Sequence, residues 1–111
     1  MKKSETTQKI ILVIDTSNNK EVVIKLRTED KEIVMKEEMT RVKTQAVLPL
    51  VEKILQKKEL KREDLTEIEV VTGPGSFTGL RVGVAIANTL AIVLKIPVNQ
   101  REIGVLVEPT Y

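Results

Sequence analysis

The chain has 111 residues, 41% hydrophobic, 31% charged and only 2% aromatic, with a formal net charge of +2. That suits one small soluble globular domain with an Ile, Val, Leu and Ala core. With neither Cys nor His, thiol nucleophiles, disulfides, zinc sites of the usual kind and histidine acid–base chemistry are excluded; so small a charge does not by itself argue for nucleic-acid binding, and with only Phe77 and Tyr111 to stack, a single-strand stacking platform is disfavoured.

Residues 1–9 are polar, lack the apolar core of a signal peptide and read as a disordered tail. The run Ile10 to Ile14 predicts a buried strand. Asp15-Thr16-Ser17 ends it, and Asn18-Asn19 signals a turn. Glu21 to Leu26 and Glu32 to Lys36 read as two further strands on short connections, completing an antiparallel meander. Val47, Leu50, Val51, Ile54 and Leu55 then recur at helical spacing, with Thr44 as candidate N-cap and Pro49 awkward inside the helix. Lys61 to Leu65 predicts a short turn of helix.

Ile68 to Val71 predicts a fourth strand, feeding Thr72-Gly73-Pro74-Gly75-Ser76-Phe77-Thr78-Gly79-Leu80-Arg81. This stretch has the composition of a tight strand-to-helix turn, with Ser76 or Thr78 placed to cap the helix behind it. That helix is expected over Phe77 to Leu94. Its apolar run is short and interrupted by Gly83, Asn88 and Thr89, as in a buried helix rather than a membrane span. Ile96-Pro97-Val98 reads as a short fifth strand parallel to the fourth, and Gly104 to Val107 as one more extended piece.

Several residues are candidates for function. Gly73, Pro74, Gly75 and Ser76 could cradle a phosphate, but Pro74 removes a donor and no Lys follows Gly79 as a P-loop requires. Asp15 and Ser17 stand at the end of the first strand, where nucleotide-binding sheets place phosphate contacts, although a local Asx or Ser/Thr turn feeding the hairpin is the simpler reading. Arg81 could pair with a carboxylate or phosphate. Gly75, Gly79, Gly83, Ala87 and Ala91 recur every fourth residue and give the helix a face without bulk. That face can pack on the chain's own sheet or on another protein.

The order of these motifs resembles the N-terminal half of the TsaB (YeaZ) family. The resemblance rests on Ile11-Leu12-Val13-Ile14-Asp15-Thr16-Ser17, Leu48-Pro49-Leu50-Val51, the ten-residue stretch from Thr72 to Arg81, and Ile96-Pro97-Val98. It implies an α/β fold: one lobe of the actin-like ATPase (ASKHA, ribonuclease H-like) kind, with a mixed five-stranded sheet and two main helices. It also implies a cytoplasmic, non-catalytic scaffold for tRNA N6-threonylcarbamoyladenosine biosynthesis. Such a subunit dimerises through its helices with a TsaD-like catalytic subunit, and a TsaE-like ATPase joins the pair. A homodimer is expected when it is alone, with tRNA reached only indirectly and no membrane contact. No cofactor is expected on this chain, ATP entering only in the partner complex. The implied interface is Leu50, Ile54, Gly79, Gly83, Ala87 and Ala91, and the implied motif turn is Gly73, Pro74, Gly75, Ser76, Thr78 and Arg81. Asp15 and Ser17 remain the candidate contacts of the alternative, a nucleotide half-site completed by a second chain.

The sequence departs from the family at Lys43-Thr44-Gln45, where family members often carry His-Ser-Glu. Residues 10–111 are expected to form a single N-terminal lobe, the second lobe being absent. Glu108-Pro109-Thr110-Tyr111 resembles the family's C-terminal tail, as in a naturally shortened protein.

Overall fold

A computed structural model describes residues 8–38 and 44–110. Residues 1–7 of the expected 1–9 tail, the departure at Lys43, the side chain of the candidate cap Thr44, and Tyr111 lie outside the described residues.

The meander forms as its alternation dictates. Strand β1 (Ile11–Asp15) pairs antiparallel with β2 (Glu21–Arg27), which pairs antiparallel with β3 (Glu32–Glu38). A later strand, β4 (Glu67–Val70), joins the other side of β1 in parallel, giving the order β3-β2-β1-β4. In β2 every second side chain, Val22, Ile24 and Leu26, is buried while Val23, Lys25 and Arg27 are half-exposed. A one-residue slip would put the charged set into the core, so this pattern pins the register.

Both helices cover the same face. Helix α1 (Thr44–Lys57) buries Val47, Leu50, Val51, Ile54 and Leu55, the five residues its period selects, and α2 (Phe77–Leu94) adds Val84, Ala87, Leu90 and Ala91 to the same core as Leu12, Ile14, Ile24 and Ile68. Pro49 lies inside α1 on its exposed side; lacking an N–H, it leaves the Gln45 carbonyl without its usual donor four residues on. The turn at Arg62–Asp64 is a single 3-10 turn. By length and composition alone α2 could cross a membrane, with mean hydropathy 1.7 over 18 residues. One side of it, from Gly79 to Ala91, is buried on the sheet.

The opposite face of the sheet carries no helix among the described residues. Arg27 lies across it, donating to Glu32 Oε2 at 3.3 Å and to Glu69 Oε1 at 3.1 Å. Glu32, through its hydrogen bond, and then Glu69 hold the guanidinium charged and raise its pKa.

The sheet has four strands, not the expected five. Ile96-Pro97-Val98 contributes one parallel bridge, Ile68 to Val98, and then the chain turns away with Asn99 and Gln100 in left-handed backbone conformations at φ 52° and 64°. Three separate groups take the missing strand's place along the outer edge of β4. The Pro97 carbonyl and Asn99 N–H serve Ile68 (3.0 and 2.8 Å). The Asn99 side-chain amide serves both the N–H and the carbonyl of Val70 (2.8 and 3.1 Å). The Thr110 N–H serves the Thr72 carbonyl (2.7 Å). A side-chain amide carries the donor–acceptor pair of a peptide unit, so Asn99 completes the ladder without a strand. Gly104 to Val107 is likewise no strand. Val107 is buried, and its N–H and carbonyl are both held by the Asn88 side chain at 3.1 and 2.9 Å.

Candidate functional site

The glycine stretch sits at the carboxyl ends of the parallel pair β1 and β4, between β4 and α2. Ser76, the residue before the helix, caps it by accepting from the Gly79 N–H (3.2 Å), which resolves the Ser76-or-Thr78 choice; Thr78 is exposed on the helix. The Gly73–Pro74 peptide is cis. Two glycines are required by their neighbours. A Cβ on Gly75 would stand 2.6 Å from Ser17 Cβ and 2.7 Å from the Ser17 carbonyl oxygen, and one on Gly73 would run into the Thr110 carbonyl.

The fold therefore brings Asp15 and Ser17 beside the motif turn, as a nucleotide site at the end of a parallel pair would need. Their polar groups are turned on each other. Asp15 Oδ1 accepts from the Ser17 N–H (3.0 Å) and the Ser17 hydroxyl (2.6 Å). The Ser17 carbonyl accepts from the Ser76 N–H (2.8 Å). The Ser76 and Gly79 amides, which a phosphate at this helix start would want, are thus already engaged, and Pro74 has none. This geometry locks the β1–β2 turn to the glycine turn. Among the described residues, no group of three or more acidic, His or Cys side chains could hold a metal ion.

The smooth face of α2 looks inward, which corrects the expected interface. Leu50, Ile54, Gly79, Gly83, Ala87 and Ala91 are all buried in the chain's own core. The reason is Thr16, itself fully buried, which lies under Gly83 and donates its hydroxyl to the Gly79 carbonyl at 2.6 Å. A Cβ on Gly83 would collide with that hydroxyl. Each glycine inside a helix costs about 0.8–1.0 kcal/mol relative to Ala. The close approach of β1 to the helix, with a satisfied buried hydroxyl between them, accounts for the presence of Gly83.

The other half of α2 is the exposed one. Phe77 (56% exposed), Ile92 (52%) and Val93 (69%) stand out from it, and Leu48 of α1 (43%) flanks it. Arg81 is exposed too and lies over the Phe77 ring, 5.5 Å from its centroid. Two open concavities meet there. One, of about 470 Å³, is lined by Phe77, Thr78, Arg81, Val82, Ala85 and Ile86. The second, of about 200 Å³, is lined by Leu48, Ala85, Ile86, Thr89 and Leu90. An apolar band with a small residue, Ala85, at its centre and a cation at one end can accept another protein's helix. Sequence reasoning missed Ala85 and Ile86. The signal for Ala85 was the helical wheel, on which Phe77, Ala85 and Ile92 fall on the half opposite the glycines, with Ile86 at the margin of the buried face. Asn88 and Asn99 carried no comparable signal.

Comparison with known proteins gives this half-sheet a class and then a family. A family model described as "TsaD: tRNA N6-adenosine threonylcarbamoyltransferase" matches residues 12–100. The TsaB protein of Bacillus subtilis, a tRNA threonylcarbamoyladenosine biosynthesis protein, is 39% identical over 92 residues, covering 80% of this chain and 39% of that one. TsaB of Buchnera aphidicola from Schizaphis graminum is 34% identical over 91 residues, covering 80% and 42%. YeaZ from Pseudomonas aeruginosa superposes with a TM-score of 0.77 at 28% identity, covering 85% of this chain and 44% of that structure. The chain belongs to the TsaB (YeaZ) family. It spans about two-fifths of the length of these relatives.

Proposed function

We propose that this chain is a non-catalytic subunit for the biosynthesis of tRNA N6-threonylcarbamoyladenosine, docking a TsaD-like catalytic subunit on the outward half of α2 with Leu48 of α1. The observation that carries this reading is the exposed apolar band from Phe77 through Ala85 and Ile86 to Leu48 in a member of this family. The fold is one lobe of the actin-like ATPase kind. The chain orders its partner's site rather than supplying groups to it. It holds no cofactor of its own, and ATP enters with the partners, a TsaE-like ATPase among them. The same band serves self-association when no catalytic subunit is present, and the complex works in the cytoplasm.

Co-purification with the cognate TsaD-like subunit tests this. Ala85→Arg puts a long charged side chain at the centre of the band and is expected to lower capture at least about tenfold, as loss of a central interface contact does, while circular dichroism and melting stay as in the unmodified chain. Capture at the original level by a folded Ala85→Arg chain would sink the interface. The rival reading is a nucleotide half-site, motivated by the juxtaposition of Asp15 and Ser17 with Gly75 and Ser76. Calorimetric titration with ATP and magnesium is expected to show no binding to the isolated chain. Micromolar binding that Asp15→Asn abolishes would favour the rival.

A further inference from the structure

Helix α2 carries one charged side chain along its whole length, Arg81, and it stands on the outward half. Among the described residues its guanidinium forms no ion pair and rests over the Phe77 ring. The helix start adds to its charge. Ser76 takes up the Gly79 N–H, and the first turn of a helix carries positive partial charge. This end of the apolar band is thus where a negative charge gains most.

The shape of the band fits a helix. In the larger concavity Thr78, Arg81, Val82 and Ala85 stand at positions i, i+3, i+4 and i+7, the four-cornered hole that takes one side chain of a facing helix. The smaller concavity is a groove between two helices, with Ala85, Thr89 and Leu90 on one wall and Leu48 on the other. The two centres lie about six residues apart along α2, about 9 Å at a rise of about 1.5 Å per residue. A facing helix covers about 10.5 Å in seven residues and about 6 Å in four, so side chains seven positions apart reach both hollows.

A second copy of this chain lacks the matching charge. The two helices of the band hold one carboxylate between them, Glu52, and it is already bonded to Arg62 Nε at 3.1 Å.

Resting on the reading of this band as a docking face, we infer that its preferred occupant is a helix of a different protein, with two large apolar side chains seven positions apart and a carboxylate that meets Arg81. The apolar pair supplies the contact. The Arg81–carboxylate pair sets which way the helix lies and selects a different protein over a second copy.

Binding of the whole chain to the cognate TsaD-like subunit, measured by calorimetry at low and high salt, tests this. Arg81→Glu is expected to weaken binding about tenfold or more at low salt, with a smaller loss at high salt. Arg81→Ala is expected to weaken it less, and to leave self-association by sedimentation as in the unmodified chain. Because Arg81 is exposed, melting is expected to be unchanged in both. Carboxylates on the partner's exposed helices are then replaced one at a time by Arg, and one of these variants is expected to restore tight binding to Arg81→Glu. If Arg81→Glu binds as the unmodified chain does while Ala85→Arg does not, the docking face stands and this inference falls. It falls too if no partner variant restores binding, or if Arg81→Ala weakens self-association as much as it weakens binding to the partner. An unmodified chain that binds no TsaD-like subunit sinks the docking reading and this inference together.

Discussion

The two halves of α2 carry similar apolar content and have opposite fates. The inward half holds Gly79, Gly83, Ala87 and Ala91, and it is smooth because β1 comes close enough for Thr16 to reach a helix carbonyl. The outward half holds Phe77, Ile92 and Val93, each more than half exposed among the described residues. Lack of bulk on a helix marks where something already approaches closely. Bulk left exposed marks where something has yet to arrive.

Substitutions separate the halves by the property they disturb. Gly83→Leu forces a side chain into Thr16 and breaks the buried Thr16–Gly79 hydrogen bond; a loss of about 3 kcal/mol or more is expected in chemical denaturation. Gly73→Ala sets a methyl group against the Thr110 carbonyl and is expected to cost about 1–3 kcal/mol. Part of that appears as faster hydrogen exchange at the Thr110 amide, and unchanged exchange there breaks the link between the glycine turn and residues 107–110. Asn88→Ala removes both partners of the Val107 peptide groups, for about 1–2 kcal/mol, with the Val107 amide losing protection. Ala85→Arg, on the outward half, is expected to shift stability by no more than about 0.5 kcal/mol. A large loss there would show that the outward half is also part of the fold.

Much of this was legible in the sequence, for identifiable reasons. The β2 alternation and the five apolar positions of α1 each follow from one period and one buried face, so pattern alone places them. The glycine stretch located the turn and the start of α2 and narrowed the cap to Ser76 or Thr78, of which the structure selects Ser76. The direction of the small-residue face was not legible. Spacing every four residues says that a face is smooth but not what lies on it, and the answer rested on Thr16, more than sixty positions away in the chain. The fifth strand failed for a related reason. Ile96-Pro97-Val98 has strand composition, but Asn99 supplies the next pair of ladder bonds from its side chain, which no periodicity announces. Asp15 and Ser17 were read from the sequence as the end of the first strand, and the fold sets Ser17 against Gly75 and Ser76. Their mutual hydrogen bonds show that the simpler of their two readings, the local turn, is realised.

Those asparagine clamps have a consequence for how the fold can change. Asn99 fixes the chain to β4, Asn88 fixes it to α2 at Val107, and residues 100–106 between them are exposed throughout. A segment tied down at both ends and free in its middle can be lengthened with little penalty to the core, since each doubling of a loop costs only about 0.6 kcal/mol in closure entropy. The span from Gln100 to Leu106 is thus a port. A whole further domain could be spliced in there, or taken out, while the four strands and two helices beneath keep their packing.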